Sequence, residues 1–337
     1  LLKRLKDHTD RCSTQNTMDC EVMRSYLITI VPVVMATLVC VASQALASDD
    51  ISGTWAPSPL AIQPEYQEQL SFSQAADIGV CGPSSPAQQV VELTNIARFE
   101  NGGLPPLKMV EELDVSSYIH SINMAERNFF AHCDLDTKKA PWDRMTDAGY
   151  YWNWAGENIA AGYSSPAAVM TGWMNSSGHR ANILDGEFRE IGVGYYYYAD
   201  DRQDTRRYLN GDCYADSMEN GSYYRYWTQN FGKRNSVYPV VINLEAHMTD
   251  SLDVGLYVYG EGWASEMRIR NNQGNWSAWL PYSSEQVWSL EIGNGPQTVT
   301  VEIRNAYGTI RSTSDEICLE FDDPVILPDL IFKDGFE

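Results

Sequence analysis

Apolar positions along this chain change period near its middle, from helical spacing to strict alternation. Ser85-Pro86-Ala87-Gln88 reads as a helix start: Ser as N-cap, Pro at the first helical position, Gln closing a capping box. Val90, Val91, Leu93, Ile96 and Ala97 follow at helical spacing, and Gly102-Gly103 stops the run. A second helix is predicted from about Met109 to Asn128, with Leu113, Ser117, His120 and Met124 on one stripe, so that His120 reads as a buried helix residue. A short helix is predicted from Pro141 to Ala148, ending at Gly149. Another starts at Ser165-Pro166, runs through Val169, Met170 and Trp173, and ends near Gly178. Strands come next. Ile191, Val193, Tyr195 and Tyr197 alternate with Gly192 and Gly194, which predicts a close neighbour on the glycine face. A charged loop spans Ala199 to Asn220, and Tyr223 to Phe231 is the next strand. Helices followed by strands predict an α+β sandwich over residues 81–235.

Beyond Tyr238 the helical signal vanishes. Leu256 and Val258, Met267 and Ile269, Leu290 and Ile292, and Val299, Val301 and Ile303 all keep period two. Turn signals separate them at Asn271-Asn272-Gln273-Gly274 and Asn294-Gly295. This predicts a small all-β sandwich over 238–321, resembling immunoglobulin-like or fibronectin-like modules. Trp263, Trp276, Trp279 and Tyr282 read as its core or edge covers rather than as sugar platforms.

The N-terminal pattern predicts export. Met23-Arg24 precedes an apolar run from Tyr26 to Cys40, and Ala45-Leu46-Ala47 supplies a cleavage site, giving a signal peptide over 23–47. The run is short for a membrane span, and the residue before Cys40 does not suit lipid attachment. Residues 1–22 read as an upstream extension and 48–80 as a lead-in. The tail over 322–337 ends in Ile331-Phe332-Lys333-Asp334-Gly335-Phe336-Glu337 and reads as a sorting signal or an acidic end.

Composition narrows the function. The 337 residues are 44% hydrophobic, ample for cores, and carry a net charge of −21, which disfavours phosphate backbones and anionic lipids. Past the cleavage site four cysteines remain: Cys81, Cys133, Cys213 and Cys318. In an oxidising compartment they read as two disulfides, with three pairings possible; Cys133–Cys213 with Cys81–Cys318 is preferred, and free thiols are the alternative.

Four polar segments carry candidate chemistry. Phe130-Ala131-His132-Cys133-Asp134 supplies His132, and Ala155-Gly156-Glu157-Asn158-Ile159-Ala160 supplies Glu157. The stretch from Trp173 to Leu184 supplies His179, and Tyr226-Trp227-Thr228-Gln229-Asn230-Phe231-Gly232 supplies Tyr226. Two imidazoles and a carboxylate can hold a divalent metal or share a proton in acid–base work. Each residue also has a structural reading. His132 and Glu157 would form a buried polar cluster, and His179-Arg180 would anchor a helix end with Arg180 on Asp185 or Glu187. Asp134 and Asp136 would cap turns, and Asp200, Asp201, Asp204 and Asp212 would form a solvated acidic loop. Zincin, α/β-hydrolase and phosphate-loop motifs are absent from the sequence.

Taken together and in order, these segments resemble the CAP superfamily (cysteine-rich secretory proteins, antigen 5 and pathogenesis-related 1) in its bacterial extracellular, SCP-like form. The motifs are F-x-H-x-D, G-E-N-I-A, W-M-N-S-x-G-H-R-x-N-I-L, I-G-V-G and Y-W-T-Q-x-F-G, spread over about residues 87–234. The resemblance implies an α-β-α sandwich with a cleft that, in animal and plant members, holds two His and two Glu and sometimes a divalent metal. His132 matches the first His and Glu157 the first Glu. The second Glu falls near Ser176 and the second His on Tyr226, so half of that set is missing. His179 belongs to the bacterial pattern. No cofactor is required; a metal such as zinc on His132 and His179 is the weak option. Three functions stay open: a secreted or cell-surface module whose polar cleft binds a peptide, lipid or cell-wall component; a hydrolase with Glu157 as base and His132 with His179 holding a metal or polarising a carbonyl; and an architectural surface protein.

Overall fold

The computed structural model describes residues 81–208, 216–219 and 221–320. The export segment, its upstream extension, the lead-in, the C-terminal tail and Cys213, with the pairing expected for it, lie outside these residues.

Helix α1 (Pro86–Glu100) begins where its cap predicts, the Ser85 hydroxyl accepting the Gln88 amide at 3.1 Å. The box does not close. The Gln88 side chain instead donates to the Glu245 carbonyl at 2.6 Å, a tertiary contact in place of a local one. Strand β1 (Lys108–Met109) leads into α2 (Glu111–Glu126), whose first turn carries Glu111, Glu112 and Asp114, favourable at a helix N-terminus. Strand β2 (Phe129–Phe130), α3 (Pro141–Asp147) and β3 (Trp154–Ala161) follow. The predicted helix after Ser165 divides at Ser176, where ψ is 122°, into α4 (Pro166–Asn175) and α5 (Ser177–Ile183). Strands β4 (Glu190–Tyr197), β5 (Thr205–Tyr208), β6 (Asp216–Glu219) and β7 (Arg225–Lys233) complete this part.

The central sheet has the order β1-β4-β7-β3, with β1 parallel to β4 and the other pairs antiparallel. Helix α2 lies directly on β4. A Cβ at Gly192 would sit 2.2 Å from the Leu113 carbonyl carbon, and one at Gly194 would sit 2.3 Å from that of Ser117. Ser117 and Ser121 use this approach to donate to the Gly192 and Gly194 carbonyls, both at 3.1 Å. The glycine face therefore has the close neighbour its spacing predicts. On the opposite face Val90, Val91, Val169, Met170, Trp173 and Ile183 from α1, α4 and α5 pack on Val193, Trp227 and Phe231. Helix, sheet and helix form three layers.

Among the described residues after 239, all regular structure is β. Strands β8 (Val240–Ile242), β10 (Asp253–Val258) and β13 (Glu285–Ser289) form one sheet, ordered β13-β10-β8. Strands β9 (Met248–Thr249), β11 (Glu266–Asn271), β12 (Leu280–Pro281), β14 (Gly295–Arg304) and β15 (Ile310–Leu319) form the other, ordered β12-β11-β14-β15-β9. Val254, Leu256, Val258, Met267, Ile269, Val299, Val301 and Ile303 share the core between them, with Trp263 and Tyr282 against it. Leu290 is buried, but Ile292 lies past the end of β13 and is exposed, so the alternation stops one step early there. Trp276 and Trp279 stack on Arg268 at 4.6 and 4.7 Å, not in the core. Cys81 and Cys318 are bridged, with Cα atoms 5.8 Å apart across 237 positions of sequence, as the preferred pairing has it.

Candidate functional site

Strand β3 lies at one edge of the central sheet, with β7 as its sheet neighbour. By cross-strand register Glu157 faces Asn230 and Ala161 faces Tyr226. Glu157 is buried, and both of its oxygens are engaged. Arg144 of α3 donates through Nη2 to Oε2, and His132 Nδ1 bonds Oε1 at 2.8 Å. The same guanidinium donates through Nη1 to the His132 carbonyl at 2.7 Å and the Lys139 carbonyl at 3.1 Å, fixing the loop that carries His132. Burial alone would raise the Glu157 pKa. Arg144, the His132 bond and the nearby His120 and His132 rings together hold it down to about 2. Glu157 is therefore a carboxylate, His132 presents Nδ1–H to it, and Nε2 is the nitrogen left to accept a proton or a hydrogen bond. The His132 side chain is 51% exposed.

Local sequence explains this placement. Asn128 turns the chain out of α2 with φ 54°, Phe129 and Ala131 bury, and the alternation leaves His132 facing outward. His120 bonds the Ala131 carbonyl from Nε2 at 2.9 Å. Burial first, and the Arg144 charge second, push its pKa down to about 3, so the ring is neutral and that nitrogen donates. His120 is thus the buried helix residue its stripe predicts. Asp134 caps its turn, accepting the amides of Asp136 at 3.0 Å and Thr137 at 2.8 Å.

His179 reaches the same edge from the other face. Asn158 of β3 donates to its carbonyl at 3.2 Å, while Asn182 donates to the Glu157 carbonyl at 3.1 Å and to Asn158 Oδ1 at 2.9 Å. Burial, then the charge of nearby His132, lower the His179 pKa. His132 and His179 are therefore near enough for their charges to interact, while Glu157 lies buried beneath His132. Tyr226 does not join them. It is fully buried, and its hydroxyl donates to Asp201, with both carboxylate oxygens at 3.1 Å. Asp201 also accepts the Tyr223 and Tyr224 amides at 2.6 and 2.7 Å, so it is a buried hub rather than part of a solvated loop. The reason is register: Tyr226 shares the Glu157 face of the sheet but sits four residues along it, roughly 13 Å away at 3.3 Å per residue. Arg180 pairs with Asn101 Oδ1 at 2.6 Å instead of Asp185 or Glu187.

Sequence reasoning missed Arg144 and left Asn158 and Asn182 without a role. The two asparagines lie inside quoted motifs, but Arg144 sits in an unremarkable short helix and carries no local signal. The donor set does not fit a bound cation. Among the described residues no three His, Cys, Asp or Glu side chains gather to hold a metal, and Glu157 already spends its oxygens on Arg144 and His132.

A three-layer α+β sandwich whose edge strand carries a guanidinium-clamped Glu–His pair defines the class of this region. Residues 91–231 match the model of the cysteine-rich secretory protein family, CAP, so the chain carries a CAP domain. The uncharacterized protein YkwD of Bacillus subtilis (strain 168) is 45% identical over 132 residues, which is 39% of this chain and 49% of that protein. The uncharacterized membrane protein YlbC of the same organism is 34% identical over 107 residues, 32% of this chain and 30% of that one. The chain thus spans about half the length of the first relative and under a third of the second. Among solved structures, an extracellular protein containing a SCP domain from Bacillus anthracis str. Ames is 31% identical, covering 44% of this chain and 40% of that one, with a TM-score of 0.34.

Proposed function

We propose that this chain is a secreted or cell-surface protein that binds an extracellular ligand, a peptide, lipid or cell-wall component, at the edge carrying His132 and His179. One observation supports the reading most: Glu157 is buried under Arg144 and holds a half-exposed His132 by Nδ1. An imidazole oriented in this way offers a fixed acceptor at Nε2, with little freedom to lose on binding. Export is supported by the signal-like segment over 23–47 and the Cys81–Cys318 bridge. Among the described residues no helix is long and apolar enough to cross a membrane. The β part is an immunoglobulin-like module that fixes how the CAP domain is displayed.

A hydrolase is the second reading, favoured by the same His132–Glu157 bond. Its roles change from those expected. A carboxylate held near pKa 2 is a weak base at neutral pH, so Glu157 would orient and His132 would take the proton. The test is a panel of peptides, lipids and cell-wall fragments, probed for binding and for turnover by the wild type and by His132→Ala. A loss of binding by at least about tenfold with an unchanged melting temperature supports the module, and turnover that vanishes in the variant supports the hydrolase. Equal behaviour of the two proteins refutes both.

A further inference from the structure

Four large rings stand open where α3 meets the start of β3: Trp142 at 50% exposure, Tyr151 at 75%, Trp152 at 42% and Trp154 at 49%. Single exposed aromatics are ordinary, but four within thirteen residues form a patch. The patch adjoins the site in sequence. Trp142 is two residues from Arg144 on α3, and Trp154 opens the strand that carries Glu157 three residues on.

The two indoles at the start of β3 are held by their N–H groups. Trp152 Nε1 donates to the Trp142 carbonyl at 3.2 Å, and Trp154 Nε1 donates to Asp185 Oδ2 at 3.0 Å. Their donors are satisfied within the fold, so what they offer solvent is ring surface. The tryptophans of the β part differ. There Arg268 and Arg270 lie over Trp276, Arg268 and Arg304 over Trp279, and Arg311 over Trp263, which covers those faces. Among the described residues no ring and no guanidinium stacks on Trp142, Tyr151, Trp152 or Trp154.

We propose that this patch is a stacking platform for a neutral polysaccharide strand, with the half-exposed His132 imidazole, held by Glu157, accepting from the sugar hydroxyls. This names the ligand class for the binding reading above and rests on it. The charge of the surroundings selects the occupant. Asp185 lies against Trp154, Asp143 follows Trp142 in sequence, Asp147 is paired with Lys139, and the chain carries −21 overall, a poor setting for phosphate or anionic lipid. A pyranose instead presents C–H faces to rings and hydroxyls to carboxylates and to an imidazole acceptor. It carries no charge that must be stripped of water.

The experiment uses the mature full chain, with insoluble chitin and cellulose for co-sedimentation and soluble neutral oligosaccharides for tryptophan-fluorescence titration. Parallel arms use phosphatidylcholine vesicles, phosphatidylglycerol vesicles and a peptide library. Variants are Trp152→Ala with Trp154→Ala, Tyr151→Ala as the change least able to disturb packing, and His132→Ala. Saccharide binding that falls by at least about tenfold in the double tryptophan variant, and measurably in Tyr151→Ala, is the expected result. Saccharide binding unchanged by either variant overturns the platform and leaves the binding reading standing, as does binding to vesicles or peptides in place of saccharides. Silence of the wild type in every arm overturns both.

Discussion

Replacing Glu157 by Gln keeps the side chain's shape and removes its charge, which isolates the contribution of the Arg144–Glu157–His132 relay. The carboxyl is lowered from its ordinary 4.5 to about 2. At about 1.4 kcal/mol per pKa unit the paired carboxylate contributes about 3 kcal/mol at neutral pH. Both Glu157 and Arg144 are buried, so solvent screening takes little of this. An independent estimate agrees: a buried guanidinium left without its partner costs about 3–5 kcal/mol. The sign of the pH dependence follows from the direction of the shift. Folded Glu157 binds its proton more weakly than unfolded Glu157, so its contribution is complete above about pH 4.5 and is lost as pH falls toward 2. Urea unfolding followed by tryptophan emission, for wild type and Glu157→Gln between about pH 7 and pH 3, measures both quantities. The expected gap is about 3 kcal/mol at neutral pH, closing on the acid side. A gap below about 1 kcal/mol, or one that stays constant with pH, would show that the carboxylate does not hold this part of the fold.

Gly192→Ala places a methyl 2.2 Å from the Leu113 carbonyl carbon and 2.3 Å from the Asp114 nitrogen, backbone atoms that cannot swing aside. The variant should lose about 3 kcal/mol or more by thermal or chemical melting; a neutral substitution would mean that α2 slides freely over β4. Tyr226→Phe removes one of several donors to Asp201, which keeps the Tyr223 and Tyr224 amides. It should cost about 1 kcal/mol and leave the His132 imidazole resonances in place, whereas displaced His132 signals would return Tyr226 to the site.

Much of the architecture was readable because its residues signal locally. The Ser85 and Ser165 caps, the alternation of β4 with Gly192 and Gly194 on one face, and period two through β10, β11 and β14 each rest on chemistry within a few residues. Strand β3 gave no such pattern, because Glu157, Asn158, Ile159 and Ala160 are all buried and a strand covered on both faces does not alternate. His132 and Glu157 were legible as motif residues, and their pairing was among the readings open to them. The arginine that sets their chemistry was not, since its role exists only once α3 is laid against β3. Tyr226 shows the opposite error. Matched by position in a motif, it was expected at the site, but a distance of four residues along a strand and a buried acid on another loop decide where its hydroxyl goes.

The same reasoning locates the β part. Asn243, Leu244 and Glu245 all adopt left-handed φ, at 45°, 61° and 67°. Each such non-glycine residue costs about 1–2 kcal/mol, so three in succession persist only where contacts compel them. Those contacts come from α1 and β1. Gln88 donates to the Glu245 carbonyl at 2.6 Å and Asn95 to the Leu244 carbonyl at 3.0 Å. Glu245 Oε1 accepts the Met109 amide at 2.9 Å, and Lys108 bridges Glu245 at 2.6 Å and Asp315 of β15 at 2.5 Å. A strained turn tied at this many points is a clamp and not a flexible tether. It also has a definite address. Strand β1 is one edge of the central sheet and β3 is the other. The β part therefore satisfies the outer amide of the β1 edge, while His132, Glu157 and the exposed rings stand at the opposite edge. The contacts that fix the β part thus fall on α1 and β1, away from the edge that carries Glu157.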